Sequence, residues 1–154
     1  MNNFTNSQRI NKDIQDINTY GHENGITIIQ IEQNKFIASI DSLIDTPYVN
    51  KKLHFSIELD DYPMKPPIIR AMKKVYHPNI ISTENLPEVE RPFGAICINI
   101  LKNDWSPVHR LRLVLLAIKE LLANPNPEDP MEAEIAELYV NNREQYNINA
   151  KNTI

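Results

Sequence analysis

"GITIIQIEQNKFIASIDS", residues 25–42, holds two runs rich in β-branched residues, "GITIIQIEQ" and "FIASIDS", parted by the polar pair Asn34–Lys35. Such runs with short polar breaks read as strands. Two more follow, "KKLHFSIEL" at 51–59 and "PPIIRAMKKV" at 66–75, again after short polar or proline-containing breaks. Four strands in succession with short connections predict an antiparallel meander. Upstream, Ile10, Ile14 and Ile17 recur at helical spacing between Asn6 and Asn18, with Arg9, Lys12, Asp13 and Asp16 elsewhere and Asn6 or Ser7 as capping candidates. Downstream, "RLRLVLLAIKELLAN" sets Leu111, Val114, Leu115, Ile118, Leu121 and Leu122 on one face, and Pro125 ends the helix. "DPMEAEIAELYVNNREQYNINA" reads as one or two further helices, with Pro130 near a helix start. The expected class is α+β: an N-terminal helix, a four-stranded antiparallel meander and C-terminal helices.

A chain of 154 residues suits one domain with a real core, so residues 1–154 are expected to form a single unit. The composition, 42% hydrophobic and 23% charged, is that of a soluble globular protein, and no apolar run approaches the roughly 20 residues of a membrane span. No membrane partner is expected. "MNNFTNSQRINKD" lacks the basic start and apolar stretch of a secretory signal, and a lone cysteine forms no internal disulfide. Both features predict a reducing compartment, cytoplasmic or nuclear. The net charge of −4 argues against general nucleic-acid binding. His22, His54, His77 and His109 are scattered, and the one cysteine has no pair, so no metal site is expected.

Between the strands and the helices lies a long, largely irregular region from Tyr76 to Ser106, the kind of loop that often carries function. It contains "YHPNI" at 76–80 and, in "GAICINILKNDWSP" at 94–107, the only cysteine and the only tryptophan. Cys97 between two isoleucines reads on its own as a small core hydrophobe. With His77 as a base, it also reads as a hydrolase nucleophile, although no cysteine-protease signature surrounds it.

The order of five short motifs changes this balance. "DYPMKPP" at 61–67, "YHPNI" at 76–80, "GAICINIL" at 94–101, "WSP" at 105–107 and "NPNPEDP" at 124–130 resemble, in that succession, the landmarks of the ubiquitin-conjugating enzyme family. The resemblance covers nearly the whole chain. It implies the family's fold, the UBC-like fold, which is the α+β arrangement that periodicity had already predicted.

The resemblance also implies a chemistry. Cys97 accepts the C-terminus of ubiquitin or a relative from an activating enzyme as a thioester, then yields it to a substrate lysine, usually with a RING-type or other ligase. A thiolate is a strong nucleophile, and its thioester stays reactive toward amines. No tightly bound cofactor is implied; ATP and magnesium are used by the activating enzyme. Asn79 corresponds to the asparagine credited either with stabilising the oxyanion or with holding the active-site loop. His77 and Pro78 shape that loop. Asp129 matches an acidic residue at the mouth of the site, where orientation and desolvation help an incoming lysine of ordinary pKa about 10.4 to lose its proton. Glu128 is its rival, and both acids also read as surface decoration of a helix start. Met64, Pro107 and Val108 fall where the family docks ligases, though Met64, like Trp105, also reads as a packing residue. Arg9 and Lys12 fall on the helix that meets the activating enzyme, and also read as a solvated face.

Eighteen positions separate Asn79 from Cys97, more than the family's short turn, which implies an insertion at about 82–93, "STENLPEVERPF". It reads as a gate, a partner selector or an inert surface loop. "DSLIDTPYVNKKL" lacks the glycines common before the third strand, so its turns must differ. Asn99, with "PNPEDP" and "NNR" at 141–143, leans toward a ubiquitin-like modifier of the neddylating type. A non-catalytic ubiquitin-binding variant of the fold is the remaining alternative.

Overall fold

In the computed structural model, β1 (Ile26–Glu32), β2 (Lys35–Ile40), β3 (Leu53–Glu58) and β4 (Ile68–Ala71) pair antiparallel in chain order, the meander expected from the sequence. The described residues are 3–83 and 92–153; of the insertion, 84–91 lie outside them. Alternation sorts the sheet into two faces. Phe36, Ala38, Phe55 and Ile57 are buried inward, whereas Ile29, Ile31 and Ile68 are exposed on the other face.

α1 (Asn3–Tyr20) packs on β1 and on α2 (Leu111–Ala123), and the buried residues of α2 share one core with those of the strands. α2 buries the six residues that its period picked out, from Leu111 to Leu122. Burying side chains of this kind stabilises by about 1.5–3 kcal/mol each. Two expectations for α1 need correction. The helix starts at Asn3, so Asn6 and Ser7 lie within it and not at its cap; Ser7 is exposed, where a polar side chain is tolerated inside a helix. Asp13 and Asp16, read as part of the polar remainder of the helix, are 2% and 7% exposed. Each has cationic partners that make burial tolerable: Asp13 faces Arg9 at 3.0 Å, and Asp16 accepts from Arg112 at 2.8 Å and Arg110 at 3.3 Å. The Asp16 pairs fasten α1 to the start of α2.

α2 stops at Ala123, and Pro125 cannot continue it. α3 (Ala133–Asn141) begins three residues after Pro130, and α4 (Arg143–Asn152) follows, its first turn capped by the Asn142 side chain, which accepts from the Gln145 amide at 3.1 Å. The helices reach the site through tyrosines. Buried Tyr48 donates to the Tyr76 carbonyl and meets the Tyr146 hydroxyl of α4 at 3.2 Å, anchoring the residue that precedes His77. Among the described residues no helix is long and apolar enough to cross a membrane.

Candidate active site

The segment after His77 and the segment leading to Cys97 pair as a two-stranded antiparallel ribbon. The Cys97 amide donates to the Asn79 carbonyl at 2.8 Å, Ile81 to Ala95 at 2.9 Å, and Gly94 to Ile81 at 2.9 Å. The insertion is therefore the connection of this ribbon, where added length costs little closure entropy and leaves the paired residues in place. Gly94 is required at its return. Its φ is +81°, and a Cβ would stand 2.2 Å from the Ala71 carbonyl oxygen, to whose residue it is hydrogen-bonded. That bond, Ala71 N–H to Gly94 O at 2.9 Å, ties the ribbon to β4.

A second loop, residues 124–132, is drawn onto the ribbon by a closed set of hydrogen bonds. Buried Asn79 donates from Nδ2 to the carbonyls of Asn126 at 2.8 Å and Asp129 at 3.2 Å, and its Oδ1 accepts from the Asn126 amide at 2.9 Å. The Pro78 carbonyl accepts from the amides of Met131 and Glu132 at 2.9 and 3.0 Å. At the root of the insertion, Glu132 Oε1 accepts from the Ser82 amide at 2.9 Å and from the Thr83 hydroxyl at 3.1 Å. The loop is thus held at three points, and the result is to bring Asp129 to the thiol.

Cys97 is partly exposed at this junction. Its sulfur lies 3.8 Å from Asp129 Oδ2 and 3.8 Å from the Asp129 carbonyl. A 3-10 turn, Asn99–Leu101, then reverses the chain and brings Lys102 Nζ to 2.9 Å from Sγ. Glu128 is exposed and is not among the sulfur's hydrogen-bond partners in the described residues.

His77 stands apart from the thiol chemistry. Its ring is fully buried; Nδ1 accepts from the Asn79 amide at 3.0 Å, which leaves the proton on Nε2, donated to the Leu121 carbonyl at 2.8 Å. Burial pushes its pKa down to about 4, against an opposing contribution from the Leu121 carbonyl. The ring is neutral at physiological pH and both nitrogens are engaged within the protein. A histidine-dependent hydrolase would need a ring nitrogen free to take the proton of the thiol.

The other sequence candidates gather at the far end of α1. The Trp105 indole donates to the Pro63 carbonyl at 3.0 Å and its ring lies 5.7 Å from that of Tyr62, which brings the loop bearing Met64 beside the loop bearing Pro107 and Val108. Met64 is 59% and Val108 79% exposed, and Pro107 is exposed between them and Trp105. Arg9 is turned inward: besides Asp13, it donates to the carbonyls of Pro107 and His109, the latter at 2.6 Å, and to the Tyr62 hydroxyl at 3.3 Å. The Tyr62 hydroxyl in turn donates to Asp13. Lys12 remains exposed on the outer side of α1. Sequence reasoning missed Lys102, Glu132, the burial of Asp16 and the burial of Asp13. Only the last had a local signal, an acid four residues after Arg9.

The comparisons with known proteins agree with this geometry. The family model described as "Ubiquitin-conjugating enzyme" matches residues 9–154. "Ubiquitin-conjugating enzyme E2 13" of Schizosaccharomyces pombe is 35% identical over 147 residues, covering 94% of this chain and 92% of that protein. "Ubiquitin-conjugating enzyme E2 3" of Arabidopsis thaliana is 40% identical over 107 residues, 67% of this chain; the match spans 63% of that relative, under two thirds of its length. Among solved structures, the E2 domain of a Toxoplasma gondii ubiquitin conjugating enzyme superposes with a TM-score of 0.80 at 32% identity, covering 94% of this chain and 92% of that one. A putative ubiquitin conjugating enzyme from Plasmodium yoelii gives 0.80 at 33%, covering 94% and 89%. A model match across most of the chain, relatives above 30% identity and the UBC-like fold lead to one conclusion: the chain belongs to the ubiquitin-conjugating enzyme family.

Proposed function

We propose that Cys97 takes ubiquitin or a ubiquitin-like modifier from an activating enzyme as a thioester and passes it to a lysine of a protein substrate, usually with a ligase. The carrying observation is the surroundings of the sulfur. The one thiol of the chain is partly exposed at the junction of two loops, and its polar partners among the described residues are the Asp129 carboxylate and carbonyl and the Lys102 ammonium, with no histidine. An acyl carrier needs an accessible sulfur and an acceptor side for an incoming amine, and it is best served without a base that would activate water. The Asn79 amide, engaged on both of its atoms, supports the loop-holding role over direct oxyanion contact. Asp129 faces the approaching lysine. Met64, Pro107 and Val108 form the ligase anchor, and Lys12 is the cation on α1 offered to an activating enzyme. ATP and magnesium act in that partner. A carrier thiol must stay reduced, which places the work in the cytoplasm or nucleus.

The test is charging: protein, activating enzyme, ATP, magnesium and ubiquitin, run without reductant beside Cys97→Ser. An adduct removed by thiol, and thiol-resistant or missing in the variant, supports the carrier reading. Charging only by the neddylating modifier and its own activating enzyme would assign the alternative modifier toward which Asn99 leans. Failure with every modifier would leave the non-catalytic binding variant.

A further inference from the structure

We infer that Lys102 is a catalytic residue of both half-reactions, its ammonium stabilising the negative charge that the Cys97 sulfur carries as nucleophile and as leaving group. The inference deepens the carrier reading and rests on it for its acyl-transfer part. Lys102 Nζ lies 2.9 Å from Sγ, in direct contact and nearer than the sulfur's other hydrogen-bond partners among the described residues. Among those residues no carboxylate stands within ion-pair distance of the Lys102 ammonium. His77 and Asn79 are occupied elsewhere. The His77 ring is neutral and buried, and both Asn79 amide atoms are bonded to the 124–132 loop. The positive charge at this thiol therefore comes from a residue that the 3-10 turn after it delivers.

The electron balance defines its part. In loading, the Cys97 thiolate attacks the thioester carbonyl on the activating enzyme; a new C–S bond forms, the old one breaks, and its electron pair leaves on the partner's sulfur. In discharge, a neutral lysine amine attacks the Cys97 thioester; a C–N bond forms, the C–S bond breaks, and the electron pair returns to Cys97 Sγ beside the Lys102 ammonium. The amine's proton passes to solvent or to the facing Asp129 carboxylate. A fixed cation favours the thiolate as nucleophile in the first step and as leaving group in the second.

The experiment compares wild type, Lys102→Met and Lys102→Arg, each checked for folding by thermal melting. Three rates are read: alkylation of the uncharged thiol by iodoacetamide at pH 7.0, single-turnover loading, and single-turnover discharge to free lysine. The pair is solvent-accessible, so its effect is modest: Lys102→Met slows each rate by about two- to fivefold, and Lys102→Arg retains most of each. Unchanged alkylation in Lys102→Met, or an arginine variant as slow as the methionine one, overturns the inference. So does a wild-type discharge product that is chiefly a thiol-resistant amide on Lys102, because the amine would then act as an acceptor. Alkylation needs no modifier, so absence of charging would sink the carrier reading while the alkylation rates still decide whether Lys102 governs the thiol.

Discussion

The Asn79 side-chain amide holds the Asp129 carbonyl at 3.2 Å, and the carboxylate of the same Asp129 stands 3.8 Å from the Cys97 sulfur. One buried side chain thereby links directly to the residue whose carboxylate meets the thiol. It acts through the loop and is not among the sulfur's hydrogen-bond partners in the described residues.

Asn79→Ala is expected to slow discharge to lysine more than loading, because Asp129 loses its position while Cys97 keeps its own. Leaving the Asn126 amide and two carbonyls without their partner also destabilises the protein by about 1–3 kcal/mol. Single-turnover loading and discharge, with urea melts alongside, check both. Equal loss of the two rates would count against this role.

Asp129→Asn should leave loading near normal and slow discharge at pH 7. The deficit should shrink toward pH 9, where a growing share of incoming lysine is already deprotonated in solution. Glu128→Gln, altering an acid that does not face the sulfur, is expected to have little effect at either pH. A discharge profile across pH 6.5–9.5 for the two variants separates the acids.

His77 makes stability depend on pH in a defined direction. Its folded pKa, about 4, lies below the ordinary 6.5, so below pH 6.5 the unfolded chain binds the proton that the folded chain refuses. The contribution is complete above pH 6.5, falls as pH drops toward 4, and reaches a loss of about 3 kcal/mol there. Urea unfolding at several pH values should show this slope, and His77→Gln should flatten it even if it lowers stability throughout.

Arg9→Ala should free the loop carrying Pro107 and Val108 and leave the buried Asp13 carboxylate with only Tyr62, at a stability cost of about 3 kcal/mol. Ligase-stimulated discharge should fall further than unstimulated discharge. Val108→Asp should cause the same selective loss without the drop in melting temperature, since Val108 is exposed. If both variants discharged normally with every ligase tested, the loop would not be the anchor.

The strands and α2 were legible because the signal for each is local. A sheet with one buried face selects residues at a period of two, and a helix lying on it selects them at 3.6; the residues from Leu111 to Leu122 are buried as that period requires. The family landmarks were legible too, since Cys97, "YHPNI" and "NPNPEDP" are short and ordered along the chain. Roles within the site were harder to read. Nothing near Arg9 in sequence says that its guanidinium closes on the carbonyls of Pro107 and His109, 98 and 100 residues away. Asn79 meets its loop across 47 to 50 residues, and Lys102 reaches Cys97 only because a 3-10 turn bends the chain back. Periodicity records which side of an element loses water, so the sequence alone settled the layers and their order. The direction in which a polar side chain points depends on which carbonyls and charges lie within about 3 Å of it, and folding brings those together from distant parts of the chain.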